Sequence, residues 1–142
     1  MIKAVIFDVL NVIFTPIPGE AFNYQLTDEM KALLWQLDSH DLMIGYLTNT
    51  SGKRLDQLVE QKILPQFKIR ISSVEACFPK PDPQVYAQLV EELEMVGIKP
   101  EETLFIDDKE QNLEPARRIG IKTILFRGDQ ELNDSLERLV VK

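Results

Sequence analysis

The chain has 142 residues, 44% of them hydrophobic and 27% charged, with a formal net charge of −7. That length suits one domain burying roughly 70% of the surface its unfolded form exposes, and no apolar run approaches the roughly 20 residues of a membrane span. Sixteen Lys and Arg stand against 23 Asp and Glu with no basic run, which disfavours nucleic acid and reads the scattered acids as a solvated surface.

Met1-Ile2-Lys3 leads straight into an apolar segment without the zones of a signal peptide, and Cys77 is the single cysteine. A cytoplasmic protein without internal disulfides is expected. Cys77 itself reads as a structural or incidental thiol.

The first element organises the rest. Ala4-Val5-Ile6-Phe7 is a run suited to a strand buried on both faces, and it ends on Asp8. In an open parallel sheet, ligands bind beyond the strands' carboxyl ends, so Asp8 is either a site residue or the cap of the next turn. Thr15-Pro16-Ile17-Pro18-Gly19 continues neither a helix nor a central strand, and predicts a loop or short flap over the sheet end.

Thr27 reads as the N-cap of a helix with Asp28 and Glu29 in its first turn and Met30, Leu33, Leu34 and Leu37 on one face. Trp35, off that stripe, is expected at the core edge. Leu42 to Leu47 predicts a second buried strand, running into the polar stretch Thr48-Asn49-Thr50-Ser51-Gly52. A helix over 53–63, ended near Pro65, and a short strand over 67–72 follow.

Three prolines in Pro79-Lys80-Pro81-Asp82-Pro83 make a stiff loop carrying one lysine. A helix over 84–96 closes at Gly97, and a fourth strand, 103–106, ends in Asp107-Asp108. A helix over 111–119, closed by Gly120, a fifth strand over 122–126 and a last helix over 129–140 complete the alternation. The pattern predicts a doubly wound, Rossmann-like α/β sandwich of three layers around a five-stranded parallel sheet, forming a single domain over 1–142.

The strand ends and the proline-braced loop together offer Asp8, Thr48, Asn49, Asp107, Asp108 and Lys80. Carboxylates, a hydroxyl and a lysine at one sheet edge suit a hard divalent cation and an anionic oxygen ligand. Taken singly, each has a plainer reading: acids as turn formers, the lysine as solvated, Thr48 as a helix cap.

The order and spacing of four segments resemble the haloacid dehalogenase-like (HAD) hydrolase superfamily. Phe7-Asp8-Val9-Leu10-Asn11-Val12-Ile13 looks like its first motif, Leu47-Thr48-Asn49 its second, Lys80-Pro81-Asp82-Pro83 its third, and Phe105-Ile106-Asp107-Asp108 with Asn112 its fourth. The resemblance implies that Asp8 is a nucleophile forming an aspartyl phosphate. It implies Mg²⁺ on Asp8, the carbonyl of Leu10 and Asp108, with Asp107 orienting the shell or reaching the ion through water, and Asn112 supporting it. Thr48 and Asn49 would bind phosphoryl oxygens, and Lys80 would neutralise charge on the nucleophile and the transferred group.

Two departures qualify the resemblance. The family's phosphatases carry a second aspartate two residues after the nucleophile, as acid and base; here that residue is Leu10, and losing such a group typically costs about 10²–10⁴ in rate. Asn11 stands where the family usually has glycine, and asparagine tolerates the left-handed turn. Further, the 40 positions from Asp8 to Thr48 and the 32 from Thr48 to Lys80 leave no room for a cap domain.

An open site suits a phosphorylated small molecule or protein as substrate, or cover by a second copy in a homo-oligomer. The resemblance therefore implies a Mg²⁺-dependent phosphohydrolase with impaired acid/base catalysis. The alternatives are a catalytically inactive binding or regulatory protein and, third, a dehalogenase.

Overall fold

The structure is a computed structural model and describes residues 1–20 and 22–139. Strand β1 (Ala4–Phe7) is fully buried and lies at the centre of the main sheet. Its side chains alternate between two cores, Ala4 and Ile6 packing on one face and Val5 and Phe7 on the other. This is the physical content of an uninterrupted apolar run: each residue meets a helix layer.

Phe14–Pro16 (β2) and Tyr24–Leu26 (β3) pair antiparallel as a separate two-stranded ribbon, so the proline-containing segment is a flap hairpin. Pro16 is at the outer end of β2, where a missing donor costs least. Helix α1 (Asp28–Ser39) is capped by Thr27, whose Oγ1 accepts from the Met30 amide at 3.1 Å and donates to Asp129 at 2.6 Å. Trp35 is 40% exposed, and its indole donates to the Ile63 carbonyl.

Strand β4 (Met43–Thr48) leads to α2 (Lys53–Glu60), which stops three residues short of the sequence expectation; Lys62 takes a positive φ of 63°. Strand β5 is Ile69–Ser72, and a single turn α3 (Ser73–Ala76), not anticipated, follows it. Helix α4 (Pro83–Met95) starts from Asp82, which caps the Gln84 amide, with Pro83 in its first turn.

Strand β6 (Thr103–Asp107), helix α5 (Glu110–Arg118), strand β7 (Lys122–Leu125) and helix α6 (Asp129–Leu139) complete the chain. The expected helix end at Val140 lies outside the described residues.

The five-stranded sheet has the order β5-β4-β1-β6-β7 with every pairing parallel. Helices α1 and α6 supply the core on one face, through Met30, Leu34, Leu37, Leu132 and Leu136. Helices α4 and α5 supply the other, through Val85, Leu89, Leu93 and Leu113. The strand order reverses direction between β1 and β6, and the crevice beyond that switch point is flanked by Asp8 and Asp107. Among the described residues there is no cap domain, and no helix is long and apolar enough to cross a membrane.

Candidate active site

Asp8 leaves β1 with its amide bonded to the Ile106 carbonyl at 2.8 Å, so the neighbouring strand fixes where its side chain starts. Its Oδ1 accepts from the Val9 amide at 2.8 Å and from Lys80 Nζ at 2.9 Å. The chain then coils tightly, the Val9 carbonyl accepting from the amides of Ile13 and Phe14. Asn11 has φ 72°, the left-handed turn its residue type allows, and its amide bonds Phe14 at 2.7 Å. Leu10 follows Asp8 into the same pocket and brings only an alkyl group.

Lys80 is the centre of the charge arrangement. Its ammonium bridges Asp8 Oδ1 at 2.9 Å and Asp107 Oδ2 at 2.7 Å, and its side chain is almost wholly buried. Asn49 holds the loop that carries it: Oδ1 accepts from the Lys80 amide at 2.8 Å, and Nδ2 donates to the Lys80 carbonyl at 3.2 Å. The Lys80–Pro81 peptide is cis.

Asp107 is completely buried and accepts three bonds, from Lys80, from Asn112 Nδ2 at 3.2 Å and from the Lys109 amide at 3.0 Å. Asn112 is itself positioned by Tyr86, whose hydroxyl donates to the Asn112 main-chain carbonyl at 2.5 Å. Thr48 shares a 2.8 Å hydrogen bond with Thr50 and accepts from the Thr50 amide.

These groups line one pocket of about 100 Å³, together with Asp108, Thr50 and Lys109. Every sequence-predicted site residue except Asp107 lies on its wall; Asp107 stands behind it, bonded to Lys80 and Asn112. Sequence reasoning missed Thr50, Lys109 and Tyr86. Thr50 lay within the polar run after β4, while only the fold brings Tyr86 to Asn112.

Burial pushes the Asp8 carboxyl up to about 7 against the pull of Lys80, and the charge of Asp107 adds to the rise. Burial also raises Asp108, followed by the hydrogen bond and charge of Asp107. Oxygens of Asp8, Asp107 and Asp108 lie within 4.8 Å of one another.

Three carboxylates there face one buried ammonium, a deficit that a divalent cation would balance. The all-oxygen donor set suits a hard ion. Asn112 Oδ1 supports the fit, being a buried acceptor that meets no donor among the described residues, as a cation's water ligand would provide. Asp8 and Asp108 are the residues that fit direct coordination, because Asp107 is already committed to three donors.

A parallel sheet of this order, with an acid ending its central strand and a lysine bridging that acid to a second one, defines a class of α/β hydrolytic domains with the site at the switch point. The haloacid dehalogenase-like hydrolase family matches residues 18–126, and the chain belongs to that family. The match begins after Asp8 and Leu10, which the fold places in the site.

Bifunctional epoxide hydrolase 2 of Sus scrofa is 33% identical over 88 residues, covering 62% of this chain; the chain spans about 15% of that relative's length. A HAD-like family hydrolase from Porphyromonas gingivalis superposes with a TM-score of 0.75 at 18% identity, covering 100% of this chain and 99% of the other. A HAD family enzyme from Bacteroides thetaiotaomicron, crystallised with magnesium and inorganic phosphate, superposes with a TM-score of 0.70 at 17% identity, covering 89% and 95%.

Proposed function

We propose that the chain is a cytoplasmic Mg²⁺-dependent phosphohydrolase that works through an aspartyl phosphate on Asp8 and favours substrates whose leaving group departs without protonation. The observation that carries this reading is the Lys80 ammonium at 2.9 Å from Asp8 and 2.7 Å from Asp107, beside a pocket walled by Thr48, Thr50 and Asp108.

In the first step an Asp8 oxygen attacks phosphorus, the bond from phosphorus to the leaving oxygen breaks, and the leaving group carries off the electron pair as an anion. Water then attacks the phosphorus of the acyl phosphate, releasing inorganic phosphate and restoring the Asp8 carboxylate; the proton goes to solvent. Lys80 holds Asp8 oriented and offsets charge on the transferred group. Thr48 and Thr50 offer hydroxyls to phosphoryl oxygens, and Asn49, with its carboxamide engaged on Lys80, offers its main-chain N–H. Asp8 and Asp108 would hold Mg²⁺, which when bound would supply charge neutralisation at the phosphoryl group.

Leu10 carries the second reading, a protein that binds a phosphorylated ligand without turning it over. Hydrolysis of p-nitrophenyl phosphate and acetyl phosphate, with Mg²⁺, by the parent, Leu10→Asp and Asp8→Asn separates the two. The hydrolase reading expects parent rates above Asp8→Asn on both substrates and, because an aspartate at position 10 would also act as base toward the water of the second step, an increase of about tenfold or more for Leu10→Asp on p-nitrophenyl phosphate. Parent and Leu10→Asp rates both equal to Asp8→Asn would leave the binding protein.

A further inference from the structure

A second, larger recess of about 440 Å³ lies beside the phosphoryl pocket, against the flap hairpin. Leu10 and Thr50 line both, so the two adjoin. The added walls include the aromatic Phe14, Phe22 and Tyr24, the cationic Arg54 and the polar Asn23 and Ser51. The recesses between α1 and α6, between α4 and α5, and beside Phe67 share no residue with it.

Phe22 is the unusual member. It is 95% exposed and has a left-handed backbone with φ 63°. A bulky side chain in that region is an outlier, and an aromatic ring in water gains nothing from burial. The backbone costs stability and the exposed ring returns none of it, so the ring is left free for a contact from outside the folded chain. Arg54 fixes the opposite wall, with its guanidinium 4.3 Å from the Phe14 ring centroid and Nη1 donating to the Tyr24 carbonyl at 3.4 Å. That leaves a cation at the rim of a groove whose aromatic and aliphatic walls are interrupted by the polar Asn23, Thr50 and Ser51.

We propose that this groove seats the aromatic ring of a small aryl phosphate monoester, making Phe22, Leu10 and Arg54 the residues that select the leaving group. The inference rests on the phosphohydrolase reading for its chemistry and on the groove for its specificity. A phenol ionises near pH 10, as tyrosine does, far more readily than an alkanol, and therefore leaves without the acid that Leu10 cannot supply. The groove offers such a leaving group apolar contact for its ring and the Arg54 charge for its oxygen or a ring substituent. Leu10 thus has two consequences, removing the proton donor and completing an apolar surface for substrates that need none.

Calorimetric titration with phenylphosphonate and methylphosphonate in Mg²⁺, on the parent and on Phe22→Ala, tests the groove without requiring turnover. Expected is at least about tenfold tighter binding of phenylphosphonate by the parent, a preference that Phe22→Ala abolishes while methylphosphonate affinity stays unchanged. Equal affinities, no binding of either probe, or a Phe22→Ala loss shared by both would overturn the proposal. Turnover of phenyl phosphate measured alongside separates the two claims. Aromatic preference in binding with rates no higher than Asp8→Asn removes the hydrolase reading and keeps the groove, whereas turnover without that preference does the reverse. A phosphotyrosyl peptide turned over tenfold or more faster than phenyl phosphate would overturn the small-molecule source.

Discussion

Lys80 and Asp107 meet at 2.7 Å in the interior although one rides on a proline-braced loop and the other ends a central strand. Asp8 completes the arrangement at 2.9 Å from the same ammonium. Replacing Lys80 with methionine keeps the length of the side chain and removes its charge, leaving two buried carboxylates facing each other. The expected loss of stability is about 3–5 kcal/mol at pH 8, the usual cost of stripping one partner from a buried ion pair. It shrinks at pH 5, where Asp8, with its ionisation pushed up to about 7, is protonated. Urea denaturation of parent and Lys80→Met at both pH values checks this, and an equal loss at the two would show that the ammonium does not neutralise Asp8.

Metal binding carries the opposite pH signature. The ordinary Asp8 value of 3.8 rises to about 7 on folding, so between those values the metal-free native state holds more protons than the unfolded chain. The contribution of this group to stability is full below about pH 4 and is lost as pH rises toward 7. A cation on Asp8 and Asp108 needs both ionised. The rise in Tm caused by Mg²⁺ should therefore be small at pH 5, grow through pH 7 and be reversed by chelation. A pH-independent shift, or one that survives Asp8→Asn together with Asp108→Asn, would place the ion elsewhere.

The fold was legible because it follows from local patterns, whereas the candidate site was assembled from the order and spacing of four motifs and their family resemblance. Ala4 to Phe7 had to be a central strand, since four consecutive apolar residues need cover on both faces, and the strand's end then aimed Asp8 at the crevice. Asn11 and Thr27 carried their backbone roles in their side-chain chemistry. What stayed hidden depended on distance. Asn49 was expected on the phosphoryl group, but no local pattern reveals that its carboxamide grips the main chain of Lys80, 31 residues on. Tyr86 behaves as a core residue of α4 until its hydroxyl is seen on Asn112. The flap strands were masked by Pro16, Pro18 and Gly19, which speak against strands, and by the shortness of a ribbon with three residues per strand.

Gly45 shows how tightly the sheet is built beneath the site. A Cβ there would fall 2.7 Å from the Ile69 carbonyl oxygen, 2.8 Å from Ile69 Cβ and 3.0 Å from Ile6 Cδ1. The first of these is main chain of the paired strand β5, which cannot rotate aside. Gly45→Ala should destabilise the protein by about 1–3 kcal/mol through overpacking, despite the better intrinsic strand propensity of alanine. Guanidinium denaturation measures the shift in midpoint; no change would mean that β4 and β5 separate freely.

Phe22 offers a test in which stability and selectivity move in opposite directions. Its left-handed backbone costs a non-glycine residue roughly 1–2 kcal/mol, of which glycine returns a part through the entropy of its unfolded state. The exposed ring contributes no compensating burial. Phe22→Gly should therefore raise stability by up to about 1 kcal/mol in chemical denaturation, while the ratio of kcat/KM for phenyl phosphate over acetyl phosphate falls about tenfold. A stabilised variant with an unchanged ratio would make the flap tip a defect without a task in catalysis. A destabilised one would show that Phe22 packs in the folded protein, and its exposure could then no longer be read as a provision for substrate.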